Sequence, residues 1–362
     1  MHGSSVYKLT ADPMSHQPNA GSGQPVASMA RVRRSLLTLA VSLSIVSFGV
    51  AAQVPTVSEP PADALNWLSG MRQAASKLSY KGILAFSRHG QVESFQLFHA
   101  VREGVEHERL ISMNSPLREV VRNAEKVVCY YPDTQTAYVE NKPSRHSLLL
   151  DFPEDLHQLT RYYHFSLQDQ AYVAKRLARI ISITPRDDYR YARRIWLDVE
   201  SGLPLKSELL DETGADIEQM VFSTLELTAD LPLHELEASI PDTSVKWEVS
   251  QQREMLSPAS LEWSLEGVPE GFRIISYSRT KRPGNPMPLD HLLLSDGLSS
   301  VSIYLDEGKS DTLKSHPRKM GAFNMATRKV GTYQVTVMGE VPERTVAVIA
   351  EGLHHQEKTP HD

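Results

Sequence analysis

Apolar residues recur along this chain at two spacings, and the change of spacing marks out its elements. Leu65, Leu68, Met71, Ala75 and Leu78 return every three or four positions, with Trp67 beside the stripe, which predicts an amphipathic helix capped by Asp63. After Gly82 the runs become short and β-prone: 82–88, 92–98, 109–112, 126–131 and 136–139. His89-Gly90, Glu103-Gly104 and Pro132-Asp133 punctuate them, so they read as an antiparallel meander with hairpin turns. Pro153 to Tyr162 reads as a helical interruption, with proline and acids in its first turn and Leu156 and Leu159 on one side. Strands resume over 172–184, 190–199, 205–210 and 217–227. Alternation is only partial across Arg194 to Asp198, which predicts a strand covered on both faces. So long a meander has edges to protect, and curling into a barrel or half-barrel around its helices is one solution.

From Thr228 to Pro258 the pattern fades into scattered prolines and acids, and this stretch is read as a connection. A second, smaller unit follows, with strands expected at 271–277, 291–294, 300–305, 323–329 and 333–337. Asp296-Gly297 is a hairpin signal between the second and third. Pro342 to Ala350 reads as a helix, with Val346, Ile349, Ala350 and Leu353 on one apolar face. The fold class is therefore mainly β with helices, an α+β chain of two units.

The N-terminal pattern is of a different kind. Arg31, Arg33 and Arg34 precede an apolar run from Leu36 to Val50, which ends in Ala51-Ala52 before Gln53. That order is the signature of a secretory signal peptide, and the run is shorter than the ~20 residues a membrane-spanning helix needs. The polar stretch before Met29 is expected to precede the true start or to leave with the signal. Residues 1–52 are thus read as an extension plus signal peptide, and the mature chain is placed in the periplasm.

Composition excludes several classes. A net charge of −6, with both signs interspersed, argues against nucleic-acid binding. The single cysteine, Cys129, allows no intrachain disulfide and sits in a strand-like run as a packed thiol. No Gly-x-Ser-x-Gly, His-Glu-x-x-His or phosphate-cradling Gly-x-x-x-x-Gly-Lys pattern occurs. His146, His157 and His164 lack metal-ligand spacing, and His354-His355 is read as part of a solvated polar tail. Asp187-Asp188, amid Arg186, Arg190, Arg193 and Arg194, reads as a surface charge cluster. Lys309, Lys314, Arg318 and Lys319 around His316 read as a solvated basic loop. No catalytic residue, metal site or cofactor is expected.

Two blocks carry a resemblance. The segments 189–198, Ser201-Gly-Leu-Pro-Leu-Lys206, Asp211-Glu-Thr-Gly214 and 217–222, together with Gly331 to Pro342 near the end, closely resemble the MucB/RseB family. The likeness spans about Asp63 to Leu353, with Ala192 where the family favours glycine. It implies an N-terminal LolA/LolB-like open half-barrel with a helix lid, which senses lipid (53–228). A linker (229–258), a C-terminal domain that binds an anti-sigma factor (259–356) and a tail (357–362) follow. The implied function is negative regulation of an envelope-stress sigma factor. The partners are the periplasmic domain of a MucA/RseA-type anti-sigma factor and the acyl chains of lipoprotein or lipopolysaccharide, and a homo-oligomer is left open. Lipid-cavity candidates are Leu84, Phe86, Phe95, Leu97, Tyr130 and Tyr138; partner-binding candidates are Phe323, Met325, Arg328 and Tyr333. A lipoprotein carrier of the LolA/LolB kind is the alternative, disfavoured by the C-terminal unit that a bare carrier does not need.

The signal pattern yields a direct expectation. N-terminal sequencing of the exported protein should read from close to Gln53. A full-length chain retained in the membrane would contradict export.

Overall fold

A computed structural model describes residues 61–88, 90–114, 116–141, 152–239, 246–249, 253–282, 285–308 and 318–356. The signal segment, His89, His146, Lys309, Lys314, His316 and the 357–362 tail lie outside the described residues. The first helix, α1 (Pro61–Lys77), begins two residues before Asp63, which therefore lies inside the first turn rather than at the cap that the spacing predicts. Ala64, Leu65, Leu68, Met71 and Ala74 are buried along one stripe. Among the described residues no helix is long and apolar enough to cross a membrane.

Eleven antiparallel strands and one parallel strand form a large sheet. They are β1 (Tyr80–Arg88), β2 (Gln91–Arg102), β3 (Val105–Ser112), β4 (Glu119–Arg122), β5 (Lys126–Tyr131), β6 (Thr136–Asn141), β7 (Tyr163–Val173), β8 (Arg176–Pro185), β9 (Ala192–Asp198), β10 (Pro204–Leu210), β11 (Asp216–Leu227) and β12 (Lys246–Val249). The order is β12-β6-β5-β4-β3-β2-β1-β11-β10-β9-β8-β7, and the sheet does not close into a barrel. The meander is therefore two meanders joined out of sequence: β11 returns to pair with β1, and β7 lies at an edge. The predicted interruption between β6 and β7 is a short 3-10 helix, Leu156–Arg161, whose cap Asp155 accepts from the His157 backbone N–H.

Alternation sorts the side chains onto two faces. Leu68, Met71, Leu156 and Leu159 pack against Tyr163, Phe165, Ile181, Ile183, Ile195 and Leu197, so α1 and the 3-10 helix cover the inner face of β7 to β9. Trp196 of β9 packs on the outer face with Ala178 and Leu205, which accounts for the partial alternation of that strand. Ala174, at the tip between β7 and β8, reaches the cluster of Ala74, Leu203, Met220 and Phe222, so this half of the sheet curls around the helix.

The stretch read as a featureless connection has a structural role. Leu231 and the short helix α2 (Leu233–Leu236) press Leu231 and Leu236 onto Phe98 and Ala100 on the outer face. Beneath them, buried Arg109 donates to Glu119 and to the Glu235 carbonyl, while Ser239 donates to Glu119 from its backbone N–H and its hydroxyl. β12 then pairs in parallel with β6, and β13 (Arg253–Met255) joins the next sheet. Weak hydrophobic periodicity hid this strap because polar anchors hold it.

The smaller sheet runs β13-β15-β16-β17-β20-β19-β18, with β15 (Arg273–Arg282), β16 (Asn285–Ser295), β17 (Ser300–Glu307), β18 (Arg318–Met320), β19 (Phe323–Val330) and β20 (Tyr333–Gly339). Helix α3 (Glu343–Glu351) follows, with Pro342 as its N-cap residue, and buries Val346, Ile349 and Ala350 against the sheet as predicted. β14 (Trp263–Leu265) pairs with β21 (Leu353–His355) beside it. His354 and His355 are thus in a strand rather than in a solvated tail, and the His355 ring lies 5.0 Å from those of Trp263 and Tyr333.

The strap generates a testable consequence. Glu119→Ala strands the buried Arg109 guanidinium without its carboxylate, which typically costs about 3–5 kcal/mol. A fall of that size in the free energy of urea unfolding, with faster proteolysis at 231–239, is expected. An unchanged midpoint would show that the strap is held by its apolar contacts alone.

Candidate functional site

The lipid-cavity candidates occupy one stretch of the large sheet. Register places Leu84 opposite Phe95, Gly82 opposite Leu97 and Leu97 opposite Leu110, so these residues share the inner face that α1 covers. Leu84 and Leu97 are buried beside Ala74, Leu203, Met220 and Phe222, and Phe86, Phe95 and Leu110 lie half-buried at the margin of this cluster. Further out, Tyr138 stands opposite Cys129 on the same face, 43% exposed, with its ring edge-on to Tyr131 at 5.6 Å. Tyr130 is a correction. It is offset by one residue from Cys129, so the pleat turns it to the outer face, where it is buried with Val128, Ala137 and Ala238.

Polar groups that the sequence did not single out sit on this inner face. The Tyr80 and His99 rings stack at 4.7 Å, and His99 Nδ1 donates to the Leu78 carbonyl at 2.8 Å. Glu108 lies beside them and accepts from Arg122. Burial holds the His99 imidazole below its usual range in spite of that bond, so the ring stays neutral near pH 7. Burial, with Glu108 and Glu106 adding to it, pushes the Tyr80 phenol well above its usual range.

The partner-binding candidates divide between the faces of the smaller sheet. Arg328 donates to the Glu351 and Leu353 carbonyls at 2.8 and 2.9 Å, and Tyr333 packs edge-on to Trp263 at 5.2 Å. Both therefore serve the packing of α3 and β21. Phe323 and Met325 point to the opposite face and are half-buried, with Met325 across from Met338.

Between the sheets lies a polar knot centred on Arg190. Its side chain is fully buried. It donates to Asp296 in the β16–β17 turn, to the Glu270 carbonyl and to Asp187. Tyr162, Tyr163 and Phe272 surround the guanidinium with ring centroids at 5.0, 5.7 and 4.8 Å. Tyr163 Oη donates to Asp296 at 2.8 Å, and Asp296 also accepts from the Leu298 and Ser299 backbone N–H groups. Burial opposes the Arg190 charge, but Asp296 more than offsets it and holds the guanidinium above its ordinary range. Gly271 has φ +92°, and a Cβ there would come within 2.6 Å of the Tyr162 ring, so glycine permits the two units to meet this closely.

Neighbouring contacts extend the seam. Arg344 donates to Asp188 at 2.6 Å, Thr345 to the Tyr189 carbonyl at 2.8 Å, and Asn324 to the Tyr191 hydroxyl at 2.9 Å. The charge cluster at 186–194 is thus in part an interface and not simply a solvated surface, because Arg190 is enclosed by both sheets. Sequence carried one signal for this: the tyrosines that alternate with arginines through Tyr189-Arg-Tyr191. Among the described residues no His, Cys, Asp and Glu group is arranged to hold a metal ion. The site thus consists of a half-covered apolar face, a buried polar floor and a buried two-sheet seam.

Comparison with known proteins gives this geometry a context. The profile described as MucB/RseB N-terminal domain matches residues 63–240, and the MucB/RseB C-terminal domain profile matches 257–354. Sigma factor AlgU regulatory protein MucB of Pseudomonas aeruginosa is 28% identical over 296 residues, covering 80% of this chain and 90% of that protein. Sigma-E factor regulatory protein RseB of Escherichia coli K12 is 27% identical over 319 residues, covering 86% and 96%. In a solved Pseudomonas aeruginosa MucA/MucB complex, a chain 25% identical superposes with a TM-score of 0.66, covering 82% of this chain and 99% of its own length.

The knot sets a stability expectation. Arg190→Ala leaves Asp296 buried without its cation, and a loss of about 3–5 kcal/mol in urea unfolding is expected. Arg190→Lys, which lacks the planar fork, should recover only part of it. A loss below about 1 kcal/mol, the size of an exposed ion pair, would contradict the central place given to this residue.

Proposed function

Because the chain belongs to the MucB/RseB family, we propose that it is a periplasmic, non-enzymatic regulator of an envelope-stress sigma factor. It binds the periplasmic part of a MucA/RseA-type anti-sigma factor and shields it from the protease that starts its destruction. The observation that carries this reading is that both family domains match in order, with a fold that superposes on a chain from a MucA/MucB complex over 82% of this chain. In this reading residues 53–228 sense lipid, 229–258 connect and 259–356 provide much of the anti-sigma contact.

The inner face supports the lipid half of the proposal. Phe86, Phe95 and Leu110 flank a buried apolar cluster and retain exposure, and each acyl methylene they cover contributes about 0.8 kcal/mol. Lipid acts only if it prefers the conformation that binds the anti-sigma factor poorly. A physical route exists for such a preference. Phe86 lies under the Arg88 guanidinium at 5.3 Å, and Arg88 bonds across the seam to Glu340. An acyl chain that displaces the Phe86 ring therefore disturbs a contact between the domains. Of the original lining candidates, Leu84, Phe86, Phe95 and Leu97 form one continuous patch, Tyr138 extends the same face, and Tyr130 drops out.

The two ligands should then antagonise each other reciprocally. Titrating a labelled anti-sigma periplasmic segment with and without saturating acylated peptide should show affinities about 5- to 150-fold apart, the usual range of allosteric coupling. Phe95→Asp should abolish the difference while leaving lipid-free affinity nearly intact, whereas Phe86→Asp, which removes the ring under Arg88, should also lower lipid-free affinity. Equal affinities in the two titrations of the unaltered protein would rule out a sensing role for this face.

A further inference from the structure

At one end of the large sheet three charged side chains meet on the inner face. Arg88 closes β1, Glu218 lies across from it on β11, and Arg193 of β9 stands across from Leu209, which itself pairs with Glu218. Glu340, just beyond β20 of the smaller sheet, enters this group. One guanidinium nitrogen of Arg88 donates to Glu218 at 3.0 Å and to Glu340 at 3.1 Å. The three side chains keep only 14%, 6% and 12% of their exposure, so two carboxylates from separate domains share one arginine with little water to screen them. We propose that Glu340, Glu218 and Arg88 form an acid-strengthened latch, in which a proton on Glu340 relieves its repulsion with Glu218 and keeps the domains docked.

The electrostatics agree with the geometry. Burial, and then the Glu218 charge, push the Glu340 carboxyl up to about 7, against the opposing pull of Arg193 and Arg88. Tyr191, near Glu218 and also acted on by Glu212 and Asp211, is pushed by burial up to about 12, so it stays neutral throughout the acid range. Glu340's charged neighbours all belong to the other domain. When the domains separate, its carboxyl returns to water and to an ordinary range near about 4.3. Docking then takes up a proton. Its acid-dependent advantage is complete below the ordinary glutamate range and is lost as pH rises through about 7. Uptake of at most one proton limits the change in the docking equilibrium to about tenfold per pH unit. This device operates without lipid or the anti-sigma factor, although an acyl chain that displaces Phe86 reaches the same Arg88–Glu340 contact. It makes domain docking in the exported chain respond to the acidity of its surroundings.

The test uses the mature chain, with dyes on cysteines introduced at exposed Glu103 and Glu351 in a Cys129→Ser background. Loss of energy transfer is followed against urea between about pH 4 and pH 8.5, for the parent, Glu340→Gln and Glu218→Gln. The glutamine at 340 imitates the protonated acid. The parent should match Glu340→Gln at about pH 4 and lose urea resistance relative to it as pH rises, by up to about tenfold in the docking equilibrium per pH unit, before levelling off above about 7. Glu218→Gln should shift this loss to lower pH, because it removes the charge that competes with Glu340. A constant difference between the parent and Glu340→Gln over the whole range would overturn the latch. Should Glu340→Gln fail to fold, a pH dependence left in place by Glu218→Gln would overturn it equally.

Discussion

A fully buried arginine is the constraint around which this molecule is organised. Arg190 has no water to return to, so every donor it carries must find a partner within the protein. Asp187 comes from its own segment, but Asp296 and the Glu270 carbonyl come from the smaller sheet. The charge therefore fixes how the two sheets meet. Gly271 permits the close approach, the turn at Asp296 to Ser299 supplies the anion together with backbone donors, and Tyr163 closes the ring. Apolar packing alone would hold the sheets together with less specification of angle; a buried ion pair of this kind tolerates few alternatives.

The large sheet is arranged so that its two faces have separate tasks. The outer face of β2 to β5 is covered by the 231–239 strap, pinned by Arg109 and Glu119. The inner face is divided along its length. Under α1 and the 3-10 helix it is closed core, whereas around Phe86, Phe95, Leu110 and Tyr138 it retains exposure. That half-covered part runs directly into the seam, since Phe86 is the neighbour of Arg88 and Arg88 reaches Glu340. The half-covered face of one domain and the position of the other are thus joined by adjacent side chains rather than by a long relay.

Much of this was legible in the sequence, and the failures have physical causes. The helical stripe from Leu65 to Leu78 and the runs of β1, β2, β3, β5 and β6 follow from periodicity, whereas the short β4 had no run long enough to show one. Pairing of β11 with β1 was not legible, since strand order depends on contacts far apart in the chain. The strap at 231–239 was missed because hydrogen bonds to a buried Arg–Glu pair hold much of it, and these leave no apolar rhythm. Arg190 was misread for a related reason: a run of arginines and aspartates looks solvated until the sheet that encloses it is known. Tyr130 was assigned to the wrong face because both faces of β5 carry apolar residues, so alternation could not choose between them. Family resemblance, by contrast, located the function without needing any of these contacts.

The most direct measurement is the rate at which the site-one protease cleaves the anti-sigma factor's periplasmic segment in the presence of this chain. Stoichiometric protein should slow cleavage strongly, and acylated peptide should restore the rate. Cleavage at the same rate with and without the chain would contradict the account at its centre.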